Sequence, residues 1–345
     1  MINIQQKSCP YIFFAFFFIA AIVIVSGCQG DRVRTPNIDH VEANLEVKRF
    51  DLDFAAVDTL SLEEDMQRLK ANYPTFFDVY FMQIMADRPL RASEMLPFAA
   101  EIIREEYIKD LQDTIALYFP DLTPQIREIE EALRYYRYYF EDEAPKTLVT
   151  FISEYGIGAC TVGDDTLGIG LDLYLGEDYV EYDPSVFPSF IRQSMARDYM
   201  VVHMVKALIK NHLPPPTNNR MLDIMIHNGT MLYLTSLILP HHPRHMIMEY
   251  TPTDMGWVEQ NELQIWSHFL SSDLLYSSSK RDIQKLIGPS PNAPGMPPEA
   301  PGETANFIGM QIIKSYMKRF PDTTIQDLLD MDDAQEVLEK SRYRP

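Results

Sequence analysis

The chain has 345 residues, 46% of them hydrophobic and 23% charged, with 19 Tyr and 19 Phe to fill a core. A chain of that size and composition folds, as one large domain or two modest ones. Against 30 Lys and Arg stand 50 Asp and Glu, a net charge of −20 with no basic run to interrupt it, which excludes nucleic acid as a partner and argues against electrostatic attraction to anionic lipid.

Residues 1–10 carry one cation, Lys7, and Tyr11 to Val25 run apolar without a charge. That is a secretory signal peptide, too short to span a bilayer comfortably, which takes about 20 apolar residues. Val25, Ser26, Gly27 and Cys28 then place a branched apolar residue and two small ones ahead of a cysteine. This is the pattern of a bacterial lipobox, in which the Cys28 thiol takes a diacylglyceryl group before the chain is cut ahead of it. Residues 1–27 are therefore expected to be a lipoprotein signal peptide, and 28–46 the lipidated Cys28 and a tether. Acyl chains of the palmitate class hold such a protein on a membrane without a spanning helix. With Cys28 blocked, Cys160 has no disulfide partner. Gln29-Gly30 is not an acidic run that would signal display on the cell exterior, so the expected location is the cell envelope, on the periplasmic face of the outer membrane.

The globular part is expected to span 47–345. Val47 to Phe54 alternates apolar and charged residues and predicts a strand. Ser61-Leu62-Glu63-Glu64 has the look of a helix start, and helical patterning continues to residue 140, divided by Pro74, Pro89, Pro120 and Pro124. Glu141 to Pro145 breaks it, so 47–143 and 146–345 are candidate sub-domains. Thr147 to Cys160 and Leu167 to Leu175, separated by Val162-Gly163-Asp164-Asp165-Thr166, predict a β-hairpin. Helices are predicted over Phe187–Asn211, Met221–Leu239, Met255–Tyr276, Glu303–Phe320 and Asp332–Tyr343. Between them Gly288 to Gly302 holds six prolines, Pro289, Pro291, Pro294, Pro297, Pro298 and Pro301. They predict a surface loop, a candidate for contact with a partner. The fold class is α+β, mostly α, with a small β-hairpin or sheet.

A hairpin, a long helix with a central histidine and a second helix with a polar residue before Gly resemble the core of thermolysin-like zinc peptidases, the zincins, whose first helix presents His-Glu-x-x-His. Here that helix reads His203-Met204-Val205-Lys206-Ala207, with Met204 at the general base and Ala207 at the second ligand. Asn228 stands before Gly229 where the third ligand would be. One ligand in three cannot hold a catalytic zinc, and Lys206 would repel a dication. The expectation is a degenerate zincin-like core with no metal, no cofactor beyond the lipid and no catalytic residue. His241, His242 and His245, with Glu249 four residues after His245, include an i,i+4 pair that can face one way on a helix and rebuild a site, but read better as a solvated loop-to-helix junction. The acidic stretch Asp164 to Asp183 lacks calcium-loop spacing. Of the tyrosines in Arg134 to Phe140, at least half must pack inward, which weakens a sugar-stacking reading.

Several short motifs occur in an order similar to one known family. They are Lys48-Arg49-Phe50-Asp51, Asn72-Tyr73-Pro74-Thr75-Phe76-Phe77, Tyr174-Leu175-Gly176-Glu177-Asp178-Tyr179, Met221-Leu222-Asp223, Gly229-Thr230-Met231-Leu232-Tyr233, Asn261-Glu262 with Ile265-Trp266, and Ser341-Arg342-Tyr343-Arg344-Pro345. With the lipobox they resemble the gliding motility-associated lipoproteins GldB of Bacteroidota across nearly the whole mature chain. The resemblance implies an envelope lipoprotein of the gliding motility and protein-secretion apparatus, distantly similar to predicted zinc peptidases. The function expected is a non-catalytic interaction component on a peptidase-like scaffold, a pseudoenzyme whose partners are the membrane, through its lipid, and other envelope proteins of that machinery. The alternative is an active envelope zinc metallopeptidase with relocated ligands.

Overall fold

The structure, a computed structural model, describes residues 35–140 and 144–345. Val25, Ser26, Gly27 and Cys28 lie outside the described residues, as do Glu141 to Glu143 of the expected break. Residues Ile38–Pro345 form one compact unit, and Ile38, within the expected tether, is buried in its core.

Four short strands make one sheet: β1 (Glu46–Arg49), β2 (Thr147–Phe151), β3 (Ala159–Val162) and β4 (Thr166–Gly170), in the order β1-β2-β4-β3. β1 and β4 flank β2 in parallel, and β3 pairs antiparallel with β4. Every residue of β4 is buried, as expected of a strand covered on both faces. The predicted hairpin is therefore β3–β4, turning at Gly163 with φ +60, the left-handed conformation that glycine adopts without strain. Thr147 to Cys160 is not one strand. β2 ends at Phe151, because Glu154 and Tyr155 both take positive φ and their backbone leaves the sheet. The buried Asp172 carboxylate accepts the Ser153 N–H at 3.0 Å and the Tyr155 N–H at 2.6 Å, holding this bend in place.

β1 is shorter than the alternation suggests. Phe50 and Phe54, four residues apart, start a helix instead, α1 (Phe50–Ala55), because that spacing puts both rings on one face. They join Tyr73, Phe76, Tyr80 and Phe81 in an aromatic cluster with ring centroids 4.5–6.4 Å from Phe50. At the same corner Arg49 forks onto buried Asp51 (Nη2 to Oδ2 2.6 Å), donates to the Phe119 carbonyl, and shares Asp51 with the Thr150 hydroxyl of β2.

Helices α2 (Leu62–Asn72), α3 (Phe76–Val79), α4 (Met95–Arg104), α5 (Glu106–Tyr118) and α6 (Thr123–Phe140) complete the first half. Pro124 does not divide a helix; it lies in the first turn of α6, where a missing N–H costs nothing. In the second half the predicted Phe187–Asn211 helix is interrupted at Gln193–Ala196, leaving α7 (Ser189–Arg192) and α8 (Met200–Lys210). Then follow α9 (Met221–Ile238), α10 (Arg244–Met248), α11 (Pro252–Gln260), α12 (Glu262–Ser271), α13 (Lys280–Ile287), α14 (Thr304–Arg319), α15 (Ile325–Leu329) and α16 (Ala334–Ser341). Met255–Tyr276 is thus also two helices, parted at Asn261. α9 buries side chains on all sides, so it is the central helix of the half. It crosses α14 at Gly229 and Gly309, where a Cβ on Gly229 would stand 2.2 Å from the Gly309 carbonyl carbon. Only hydrogen at both positions lets the backbones come so close.

Candidate functional site

The polar residues enclosed by these helices meet where α8, the end of α10 and the start of α14 converge. α8 supplies His203 and Lys206, one turn apart on one face. Between them sits Glu249: Lys206 Nζ is in direct contact with Glu249 Oε1, and His203 Nε2 lies 3.4 Å from Oε2. On the other side of the His203 ring, Nδ1 is 3.1 Å from the Tyr174 hydroxyl. Gln193 Nε2 donates to the Glu249 carbonyl at 2.7 Å. A second carboxylate, Glu303, opens α14. Its Oε1 accepts from Asn306 Nδ2 at 3.0 Å, and Asn306 Oδ1 accepts from Asn228 Nδ2 of α9 at 2.9 Å.

Two features show that the carboxylates are placed rather than left over. Glu249 and Glu303 both have left-handed backbone, φ 56 and φ 57, a conformation that costs a residue with a Cβ about 1–2 kcal/mol. Their electrostatics also diverge. Burial by itself would raise the Glu249 carboxyl, but Lys206 and His203 outweigh it and hold Glu249 well below the usual carboxylate range. Glu303 is pushed up to about 7, first by burial and then by the charge of Glu249, with Lys206 and the Asn306 hydrogen bond acting against that rise. One carboxylate is committed to an ion pair and the other lacks a cation of its own. Both border a cleft of about 110 Å³ walled by Phe190, Tyr250, Pro291 and Pro301.

Of the residues singled out in the sequence, His203 is in this chamber, Met204 is fully buried in the core, and Ala207 brings no ligand. Asn228 does not face His203; its amide is engaged by Asn306 and, at 3.5 Å, by the Ile287 carbonyl. His245 and Glu249 do not form an i,i+4 pair on one helix. α10 ends at Met248, and the left-handed turn at Glu249 carries that carboxylate to His203 and Lys206. His241 lies 3.9 Å from Glu131 instead. Among the described residues no group of three or more His, Cys, Asp or Glu side chains is arranged to hold a metal ion. Tyr135 and Tyr136 are buried and Tyr138 is exposed, so the tyrosine run offers no continuous stacking face. Cys160 is half-buried and its thiol is pushed up to about 11 by burial, which keeps it protonated and unreactive.

The proline-rich segment is an ordered loop. Its turns are closed by Ala293 N–H to the Ala300 carbonyl, Gly302 N–H to the Ser290 carbonyl and Glu303 N–H to the Lys285 carbonyl. Pro289, Pro291, Pro294, Pro297 and Pro298 are exposed, whereas Pro301 is buried. Tyr250 donates to the Gly302 carbonyl at 2.6 Å, so the loop's end is fixed where it delivers Glu303. Glu303 is the residue that sequence reasoning misses: nothing in its spacing ties it to His203, and its only signal is the position between Pro301-Gly302 and a helix start.

Fold and site together define a mostly helical protein with a small four-stranded sheet and a half-buried cluster of charged groups between its helices. Its sequence matches the family described as gliding motility protein GldB over residues 31–345, and the chain belongs to that family. Membership makes it a gliding-motility-associated envelope protein of a lipoprotein family. No curated protein and no solved structure matches it. Among the described residues no helix is long and apolar enough to cross a membrane.

Proposed function

We propose that this protein is a lipid-anchored, non-catalytic component of the gliding and secretion machinery. It is held by Cys28 on the periplasmic face of the outer membrane and works by contact with other envelope proteins. The scaffold is that of a peptidase whose metal chemistry has been replaced by a fixed ion pair. The observation that carries this reading is the Lys206–Glu249–His203 cluster. A catalytic zinc needs three protein ligands, a free coordination position and a base. On the helix that would supply them, the base position is Met204, the second ligand position is Ala207, and the ammonium of Lys206 occupies the carboxylate nearest to His203. A cation already built into the chain gives the chamber its charge balance without an ion from solution.

One observation favours the other reading, an envelope zinc metallopeptidase with relocated ligands: His203 Nε2 lies 3.4 Å from Glu249 Oε2, and Glu303 is near enough to Glu249 to feel its charge. Metal analysis of the purified chain from Gln29 onward, produced with zinc available, separates the two. Well below one zinc per chain is the expected result. About one tightly held zinc per chain, lost in His203→Ala, overturns the non-catalytic reading and points to peptide hydrolysis.

A further inference from the structure

The segment Gly176 to Phe187 contains Glu177, Asp178, Glu181 and Asp183 and no Lys or Arg. It is rigidly pinned from beneath. The buried Tyr182 hydroxyl donates to the Asp172 carbonyl at 2.7 Å and accepts the Leu175 N–H at 3.1 Å, and the Gly176 N–H reaches the Met195 carbonyl. Tyr182 also meets Tyr155 and Tyr179 edge-on, with centroids 5.4 and 5.1 Å away. None of these contacts covers the two valines of the segment. Val180 is 83% exposed and Val186 63%, although a short β-branched residue gains nothing from water and a polar residue would serve the turn equally well. The apolar surface continues onto α5, where Tyr118, 40% exposed, lies with its ring 6.3 Å from that of Tyr179. Two cations of that region are already engaged: Arg192 donates to the Glu177 carbonyl at 3.1 Å, and Arg197 donates to the Tyr118 carbonyl and lies 4.9 Å over the Phe119 ring.

We propose that Val180, Val186, Tyr179 and Tyr118, with the acidic side chains between them, form a docking surface for a protein segment that alternates aliphatic or aromatic residues with Lys or Arg. The apolar side chains supply the contact area. The acids select for positive charge and against a second copy of this chain, which carries the same excess. A pinned loop loses little freedom on binding, which favours affinity. This deepens the interaction reading above by naming the chemistry of the partner.

The test uses the whole mature chain and a labelled synthetic peptide alternating Leu and Arg, with two control peptides carrying Ser for Leu or Glu for Arg. Saturable binding of the Leu/Arg peptide alone is expected, weakened roughly tenfold by Val180→Asp and likewise by Glu181→Lys, and unchanged by Leu263→Asp on α12. Equal binding of the Ser/Arg peptide, or equal loss in Leu263→Asp, would show only attraction to an acidic protein and overturns the proposal, as does no binding at all. A dimer in sedimentation that Val180→Asp dissolves would assign the surface to a second copy and also overturns it. These outcomes are independent of zinc content, so failure here and failure of the non-catalytic reading are told apart.

Discussion

At the scale of single residues, Glu303 makes the chamber sensitive to pH, and the direction follows from its proton. In the unfolded chain a glutamate loses its proton near 4.5, whereas in the fold Glu303 keeps it until about 7. Between those values the folded state binds the extra proton, so stability falls as pH rises from about 4.5 to about 7. Asp172, raised to about 6 by burial despite the N–H groups that favour its charged form, acts in the same direction. Glu249 acts oppositely: held low by Lys206 and His203, it contributes stability that is present above its ordinary 4.5 and lost as pH falls through its lowered value. A tenfold difference in proton affinity between folded and unfolded chain is worth about 1.4 kcal/mol, so Glu303 sets a loss of ~3 kcal/mol at most, reduced where water reaches the group. Glu303→Gln keeps the Asn306 contact and removes the titration. Its denaturation midpoint should change less with pH across that window than that of the parent chain. Equal slopes in the two proteins would remove Glu303 as the source.

At the scale of elements, the packing of α9 on α14 depends on the absence of two side chains. A Cβ at position 309 would stand 1.9 Å from the Met225 carbonyl oxygen. That neighbour is backbone inside a buried helix and cannot turn aside, so Gly309→Ala must push the helices apart. We expect a loss of at least about 3 kcal/mol, the upper part of the range for overpacked cores, read as a lower midpoint in chemical denaturation. A half-buried control, Gly256→Ala, has nothing within 4 Å of the added carbon and should stabilise α11 slightly through helix propensity. The same elements show what can be read in advance. Met221–Leu239 and Glu303–Phe320 match α9 and α14 almost end to end, because long apolar runs between prolines leave one interpretation. The end of β1 and the break before α8 are not legible in the same way. Phe50 and Phe54 fit either period, and the interruption at Gln193–Ala196 answers tertiary partners, such as the Leu175–Ala196 bridge, that no local pattern records. The site divides along the same line. His203 and the empty positions around it stand in one short motif, whereas Glu249 and Glu303 reach it through left-handed turns far along the chain.

At the scale of the molecule, the two halves suggested by the break at 141–145 are joined through one sheet. β1, from the first half, forms the edge beside β2 of the second in parallel register, Glu46 opposite Thr147 and Arg49 opposite Thr150. Asp51 on α1 is 3% exposed and receives the β2 hydroxyl of Thr150 at 2.5 Å. Tyr136 of α6 meets His212 just beyond α8 at 2.6 Å, and Phe76 and Tyr80 pack on Phe151 of β2 with centroids 5.3 and 6.3 Å apart. Removing residues before 144 would uncover the β2 edge and the apolar face of Phe151 and would take the Tyr136 hydroxyl away from His212. An exposed parallel edge above an uncovered aromatic face is unstable as a fold and prone to pair with other chains. The chain from Ile38 should therefore melt in one calorimetric transition whose calorimetric and van't Hoff enthalpies agree. The fragment 144–345 made alone should show no cooperative melt and should aggregate. Two resolved transitions in the parent chain, or a cooperatively folded fragment, would mean that the halves are separate domains and that the sheet is completed only on their association.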